Sequence, residues 1–238
     1  MNPAYTRVIG ASDTDRRDLF ALAARRLGTA EQNVEKDFWV CWTLDVLFHW
    51  LPSGGPPLLF KGGTSWSKAF GLIQRFSEDI DITVFRDDLG EGASIDRLEA
   101  LTGKKRKVRL DGIRDACRSY ISGELRSQLR GLAGQALESA EVGPDAITIE
   151  LDDADPDGQT LLIRYPSVVA SAAPYVHPSV RIECGAKSAL DPNVPAEVEP
   201  YVAVELDDDA LSHPQGRHDP LLWILITGHR SIPSTSPP

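Results

Sequence analysis

The stretch that decides the fold is residues 61–82, KGGTSWSKAFGLIQRFSEDIDI. It opens with a Gly-Gly pair after a short apolar run, continues with a helical pattern, and ends with Asp79 and Asp81 on a predicted strand. In a strand, residues i and i+2 point to the same face, so the two carboxylates are expected to converge on one spot. Like charges at that distance repel, or one takes up a proton, unless a divalent cation is shared between them.

The glycine turn ahead of the aspartates has the features of a phosphate site. Gly62 and Gly63 follow the apolar strand pattern LLFK, and glycine lets the backbone turn tightly and approach a ligand closely. Thr64 and Ser65 open a predicted helix, whose first N–H groups and positive dipole end favour phosphate. Such turns are common and carry little weight alone. Together with the two aspartates, the turn predicts metal-assisted phosphoryl chemistry with Mg²⁺, and the alternative is a solvent-facing Asp pair on an edge strand.

A third carboxylate would complete a site for two metal ions. In the strand pattern VRIECG, Arg181 and Glu183 face one way while Val180 and Ile182 face the other, which makes Glu183 the first candidate. Glu150, in the pattern ITIELD, is the second candidate. For both residues, an ordinary solvated strand face is the alternative.

The remaining patterns predict an α+β fold with a mixed sheet and flanking helices. Residues 12–29 read as an amphipathic helix capped by Ser12 or Asp13, and residues 31–50 as a second helix. In the second helix, an aromatic and apolar stripe at helical spacing predicts core packing of Phe38, Trp42, Val46 and Trp50. Residues 95–139 are largely helical by pattern. From residue 146 onward, AITIELD, TLLIRYP, SVRIECG and YVAVEL read as strands.

Composition limits the class of protein. The 238-residue chain has a net charge of −10, which argues against a generally nucleic-acid-coating surface while leaving room for a local basic patch. Its three cysteines have no CxxC spacing and fit a reducing compartment. The N-terminus has no apolar signal region, and the longest apolar run near the C-terminus is too short to span a bilayer. A soluble cytoplasmic protein that does not enter a membrane is expected.

A basic run, KKRKVR, occupies residues 104–109. It is either a contact surface for an RNA backbone or the solvated start of a long helix, and the helix is the favoured interpretation.

The combination of GGTS, a helix of about ten residues and SEDIDI resembles the signature of the polymerase-β-like nucleotidyltransferases. More narrowly, residues 61–82 resemble the AbiEii family, the nucleotidyltransferase toxins of AbiE-type toxin–antitoxin systems, which include the MenT-type toxins. VEKDFWV at 34–40 and VRIECGAKS at 180–188 are similar to further segments of that family. The resemblance covers about residues 30–206.

The resemblance implies a polymerase-β-like core that transfers a nucleoside monophosphate from an NTP to an acceptor such as a tRNA 3′ end. It implies that Asp79 and Asp81 hold Mg²⁺. It also implies a cognate antitoxin as partner. The residues that would bind the triphosphate are Lys61, Gly62, Gly63, Thr64, Ser65 and Lys68. For each lysine taken alone, a solvated surface charge is the favoured interpretation. Ser77 matches a position at which related toxins can be phosphorylated.

The chain departs from the family pattern after Leu206. No lysine follows Lys187, so the later lysine motif is absent, and GRHDPLLW at 216–223 is the nearest echo of the later aspartate motif. We therefore expect a nucleotidyltransferase domain at 1–206 and a divergent or truncated, poorly ordered tail at 207–238. Three functions stay open: an active toxin, a non-catalytic nucleotide-binding remnant of the family, and a metal-dependent hydrolase.

Overall fold

The computed structural model describes residues 2–61, 79–92, 95–170, 178–187, 193–206 and 223–227, with the backbone alone for 95, 96, 187, 193–197 and 223–227. Its helices are α1 Pro3–Gly10, α2 Asp13–Leu27, α3 Glu31–Asp45, α4 Ile95–Glu99, α5 Gly103–Tyr120 and α6 Arg126–Ser139. Its strands are β1 Leu58–Lys61, β2 Asp79–Phe85, β3 Thr148–Leu151, β4 Thr160–Arg164, β5 Ser179–Lys187, β6 Asn193–Glu197 and β7 Trp223–Thr227.

The strands form one mixed sheet in the order β3-β4-β5-β2-β1-β7-β6. The β2/β5 and β1/β7 pairs are parallel, and the other neighbours are antiparallel. The predicted α+β class, with a mixed sheet and flanking helices, is confirmed. The strands β1 and β2 fall where the opening stretch predicts them, which places the two aspartates near the middle of the sheet.

Helix α3 lies at the centre of the core, because every residue from Val34 to Asp45 is buried. It packs on β5 beside α5, and α6 packs on β3. Phe38 contacts the rings of Tyr5 and Phe20, while Trp39 stacks on Tyr165 with ring centroids 5.1 Å apart. These aromatic contacts join α1 and α2 to α3 and join α3 to the segment after β4.

The predicted helix starts agree with the structure. Ser12 caps α2 by accepting a hydrogen bond from the Asp15 backbone N–H at 3.1 Å, and α2 ends at Gly28, whose φ of 65° is left-handed. The predicted helical region 95–139 forms α4, α5 and α6, and one π-helical turn, Ile121–Leu125, joins the last two.

Two expectations were wrong. The segment YVAVEL forms a 3-10 helix, Tyr201–Glu205, and not a strand: the carboxylate of Asp37 binds its first N–H, and Arg26 binds Glu205 at its end. Trp50 is not a core residue, since 41% of it is exposed. The helix continues past α3 as a π-helical turn, Val46–Trp50, and the Trp50 indole N–H donates to Asp45.

Strands β6 and β7 were not predicted from the sequence, although β7 is the apolar run WILIT. β7 pairs with β1 through Phe60 and Ile226, and with β6 along its length. It lies within residues 207–238, for which we predicted a tail. The domain boundary at residue 206 stays a prediction.

Candidate active site

The two aspartates of β2 face the same side of the sheet, as predicted. Asp79 and Asp81 are half-buried, whereas Ile80 and Ile82 between and after them are completely buried on the other side. The alternation arises from the two-residue period of a strand. β2 therefore anchors itself in the core with isoleucines and presents two carboxylates on its polar face.

Each aspartate has a basic residue as a cross-strand neighbour. Asp79 is in register with Arg181 of β5, and Asp81 is in register with Lys61 of β1. Residues in register on adjacent strands lie on the same face, so opposite charges flank the carboxylate pair on both sides. The repulsion between the aspartates is thus partly offset by the chain's own cations.

Glu183 is the second neighbour of Asp81, on the other side from Lys61. Its Oε1 is 2.9 Å from Arg181 Nη1, and Arg181 Nε donates to Asp152 Oδ2 at 3.0 Å. Asp152 follows β3 directly, and its other oxygen accepts the Ala154 N–H at 2.9 Å. The polar face beside β2 thus carries a continuous line of ion pairs from Asp152 to Glu183.

Glu150 lies farther from the aspartates. It stands on β3, which is separated from β2 by β4 and β5, so three strand spacings of about 4.8 Å intervene. It forms an ion pair with Arg164 at 3.0 Å, and that hydrogen bond holds the pKa of Glu150 below its ordinary value. By position, Glu183 is the better third carboxylate.

Two acidic residues of the segment VEKDFWV hold connecting segments in place, which we did not predict from the sequence. Glu35 is buried, and its two oxygens accept the Val168 N–H at 2.7 Å and the Ser167 hydroxyl at 2.6 Å. Burial raises the pKa of Glu35 despite these hydrogen bonds. Asp37 is also buried and accepts the Tyr201 N–H at 2.7 Å. These carboxylates attach two connecting segments to α3. The sequence feature that could have predicted this role is the presence of charged residues inside an apolar helix pattern.

The donor set fits a hard divalent cation in its chemistry, since all the candidate ligands are carboxylate oxygens. Among the described residues, however, no three His, Cys, Asp or Glu side chains are grouped closely enough to hold a metal ion. Glu183 pairs with Arg181 in this arrangement.

Several predicted residues lie outside the described part of the chain, namely Gly62, Gly63, Thr64, Ser65, Lys68 and Ser77, together with the helix predicted after the turn. Lys61 is described and ends β1 opposite Asp81. Gly62, the first residue of the predicted phosphate turn, directly follows Lys61 in the sequence. The turn therefore begins next to the cross-strand neighbour of Asp81.

The basic run lies in the first two turns of α5, which starts at Gly103. Both of its arginines contact neighbouring parts of the chain: Arg106 donates to the carbonyl of Leu98, and Arg109 pairs with Glu91. Its exposed lysines are Lys104, Lys105 and Lys107. The helical interpretation is confirmed, and contact with RNA stays a prediction. In the part of the chain with described structure, no helix has the length and apolar character needed to cross a membrane.

Comparison with known proteins identifies the class. The family described as nucleotidyl transferase AbiEii toxin, Type IV TA system, matches residues 45–214, which is most of the chain. The chain belongs to this family. The match includes the glycine turn, the aspartate pair and Glu183.

Among solved structures, the chain is similar to the nucleotidyltransferase toxin MenT4 from Mycobacterium tuberculosis H37Rv. The identity is 17% and the TM-score 0.39, over 76% of this chain and 48% of the other. The chain thus spans about half the length of that structure. None of the curated proteins matches it.

Proposed function

We propose that this chain is a Mg²⁺-dependent nucleotidyltransferase toxin of a type IV toxin–antitoxin system. It transfers a nucleoside monophosphate from an NTP to an acceptor such as a tRNA 3′ end. One observation carries the proposal: Asp79 and Asp81 share a face of β2, with Glu183 in register beside Asp81, inside the region that matches the family.

The phosphate-binding half of the site is assigned to the turn after β1. Gly62, Gly63, Thr64 and Ser65 hold the triphosphate through backbone N–H and hydroxyl groups, and Lys61 and Lys68 neutralise its charge. Lys61 supports this assignment because it is in register with Asp81. The substrate phosphates and the aspartates then meet at the same edge of the site.

The aspartates carry the metal-binding half. Asp79 and Asp81 would hold Mg²⁺, which would make the attacking hydroxyl more acidic and offset the charge on the leaving pyrophosphate. The acceptor hydroxyl oxygen forms a bond to the α-phosphorus, the bond from that phosphorus to the bridging oxygen breaks, and pyrophosphate leaves with that oxygen. The hydroxyl proton passes to a carboxylate of the site or to solvent. Asp79 and Asp81 orient the reactants, and Glu183 supplies the third carboxylate.

The test is transfer of label. The protein is incubated with Mg²⁺, total tRNA and each of the four α-³²P-labelled NTPs in turn. Asp79→Asn and Asp81→Asn are expected to abolish labelling of RNA, whereas Asp88→Asn, an exposed aspartate just after β2, is the matched control and retains it. Labelling that survives in both site variants would contradict the assignment.

The second candidate is a non-catalytic nucleotide-binding remnant. The observation that favours it is that the segment matching the family, residues 45–214, has no lysine after Lys187, whereas the resemblance implies a later lysine motif. This candidate predicts Mg²⁺-dependent NTP binding that Asp79→Asn weakens, without label on any RNA. Equilibrium binding of a fluorescent NTP distinguishes the two.

A cognate antitoxin and a cytoplasmic location belong to the same proposal. Co-expression of the gene next to this one is expected to relieve growth inhibition by the wild-type chain. If the Asp81→Asn variant inhibits growth as strongly as the wild type, nucleotidyl transfer is not the cause of toxicity.

A further inference from the structure

Arg181 makes the ion pairs nearest to the aspartates on the β5 side. Its guanidinium contacts two carboxylates, those of Asp152 and Glu183, at 3.0 and 2.9 Å, and its backbone is in register with Asp79. The Arg181 guanidinium thus pairs with two carboxylates, and its cross-strand neighbour Asp79 supplies a third on the same face.

The two contacts of Arg181 differ in rigidity. The Asp152 side chain is only 13% exposed and is held at its other oxygen by the Ala154 N–H. The Glu183 side chain is 41% exposed and contacts Arg181 through Oε1. We therefore expect the contact of Arg181 with Asp152 to be the more rigid one, and the contact with Glu183 to be the one that can break.

We propose that Arg181 is the internal counterion of the site and competes with the metal ion for the carboxylate of Glu183. The inference rests on the proposed function, because it takes Asp79 and Asp81 as metal ligands. In the structure, Arg181 pairs with Glu183 at 2.9 Å. When the cation binds, Glu183 turns toward it while Arg181 stays on Asp152. Arg181 is thus a positioning residue that acts through Glu183.

The test measures metal affinity and needs no turnover. Mn²⁺ binding to the full chain is followed by the electron paramagnetic resonance signal of the free ion. Arg181→Gln removes the competitor and a nearby positive charge, so Mn²⁺ is expected to bind roughly three- to tenfold more tightly. Arg164→Gln is the matched control, because it removes an ion-paired arginine from the polar face of β4, the strand next to β5. It is expected to change the affinity less than about twofold.

A second background separates competition from simple repulsion. In Glu183→Gln protein, Arg181 has no carboxylate to withhold and only the removal of its charge remains, so adding Arg181→Gln is expected to tighten Mn²⁺ binding clearly less than it does in the wild-type background. Equal tightening in both backgrounds would mean that Arg181 only repels the ion, and the proposal would be wrong. Weaker or unchanged binding by Arg181→Gln would overturn it as well.

The outcomes distinguish this inference from the proposed function. If wild-type protein binds Mn²⁺ through Asp79 and Asp81 but Arg181→Gln has no effect, only the inference fails. If neither protein binds Mn²⁺, both fail. Circular dichroism checks that each variant is folded, and Arg181→Met, which keeps a long side chain without charge, replaces the Gln variant with the same expectation if the latter does not fold.

Discussion

Asp81 and Glu183 are direct neighbours on the parallel strands β2 and β5. Two residues earlier on the same strands, Asp79 is the direct neighbour of Arg181. Two adjacent strands therefore bring three acidic groups and one arginine to the same face of the sheet. The apolar residues between them, Ile80 and Ile182, are completely buried on the other face. This register makes the face a candidate active site. It also distinguishes Glu183, which is next to Asp81, from Glu150, which lies three strands from β2.

The first prediction concerns the third carboxylate. Glu183→Gln is expected to lower the rate of nucleotidyl transfer by about 10- to 100-fold, because a carboxylate of the metal site loses its charge. Glu150→Gln is the matched control on β3 and is expected to leave the rate within about twofold, since Glu150 is paired with Arg164 and lies three strands away. Initial rates with labelled NTP measure both. A larger loss for Glu150 would reassign the third carboxylate.

The second prediction concerns the attachment of the Tyr201–Glu205 helix to α3. Asp37→Ala is expected to lower the free energy of unfolding by about 1–3 kcal/mol, because the partly buried N–H of Tyr201 loses its acceptor. Urea denaturation measures the change. Glu31→Ala, on the exposed first turn of the same helix, is the control and is expected to cost less than about 0.5 kcal/mol. Equal costs would show that the Asp37 contact adds nothing.

The third prediction is a pH dependence set by Glu35. Burial raises its folded-state pKa above the ordinary value of 4.5, so the native state holds more protons than the unfolded state between these two pKa values. The free energy of unfolding therefore falls as pH rises through the window that begins near 4.5 and ends just above the raised pKa.

Glu35→Gln removes this titration. The difference in unfolding free energy between wild type and variant, measured by urea denaturation between about pH 4 and 8, should shift against the wild type as pH rises. Curves that stay parallel across that range would mean that Glu35 has an ordinary pKa in the folded chain.

The fourth prediction concerns the buried side of β2. Ile82→Ala is expected to cost about 2–5 kcal/mol of unfolding free energy, because the side chain is completely buried and leaves a cavity. Val204→Ala, whose residue is 73% exposed, should cost less than about 0.5 kcal/mol. A small cost at Ile82 would mean that β2 is not anchored by this face. The fluorescence of the buried tryptophans reports the unfolding.

Local patterns predicted the strands and caps that depend on neighbouring residues. The spacing of Asp79 and Asp81 predicted their common face, and Ser12 predicted the start of α2. The Tyr201–Glu205 segment was mistaken for a strand because its alternation is real, but a distant carboxylate on α3 binds its first N–H. A contact between residues 164 positions apart is not visible in a local pattern.

At the candidate site, too, some features follow from the local sequence and others depend on residues far apart in the chain. The facing of Arg181 and Glu183 follows from strand period, but the contact of Arg181 with Asp152 depends on the order of β3, β4 and β5 in the sheet. Strands β6 and β7 were missed for a related reason. The pairing of β7 with β1 joins residues more than 160 positions apart.

The central claim is that Asp79 and Asp81 support transfer of a nucleoside monophosphate. The most direct measurement uses one NTP labelled at both the α- and the γ-phosphate, incubated with the wild-type chain, Mg²⁺ and total tRNA. The account predicts the α-label on RNA and the γ-label in pyrophosphate in equal amounts, and neither product with Asp81→Asn. Release of the γ-label as orthophosphate without label on RNA would contradict the account and identify a hydrolase.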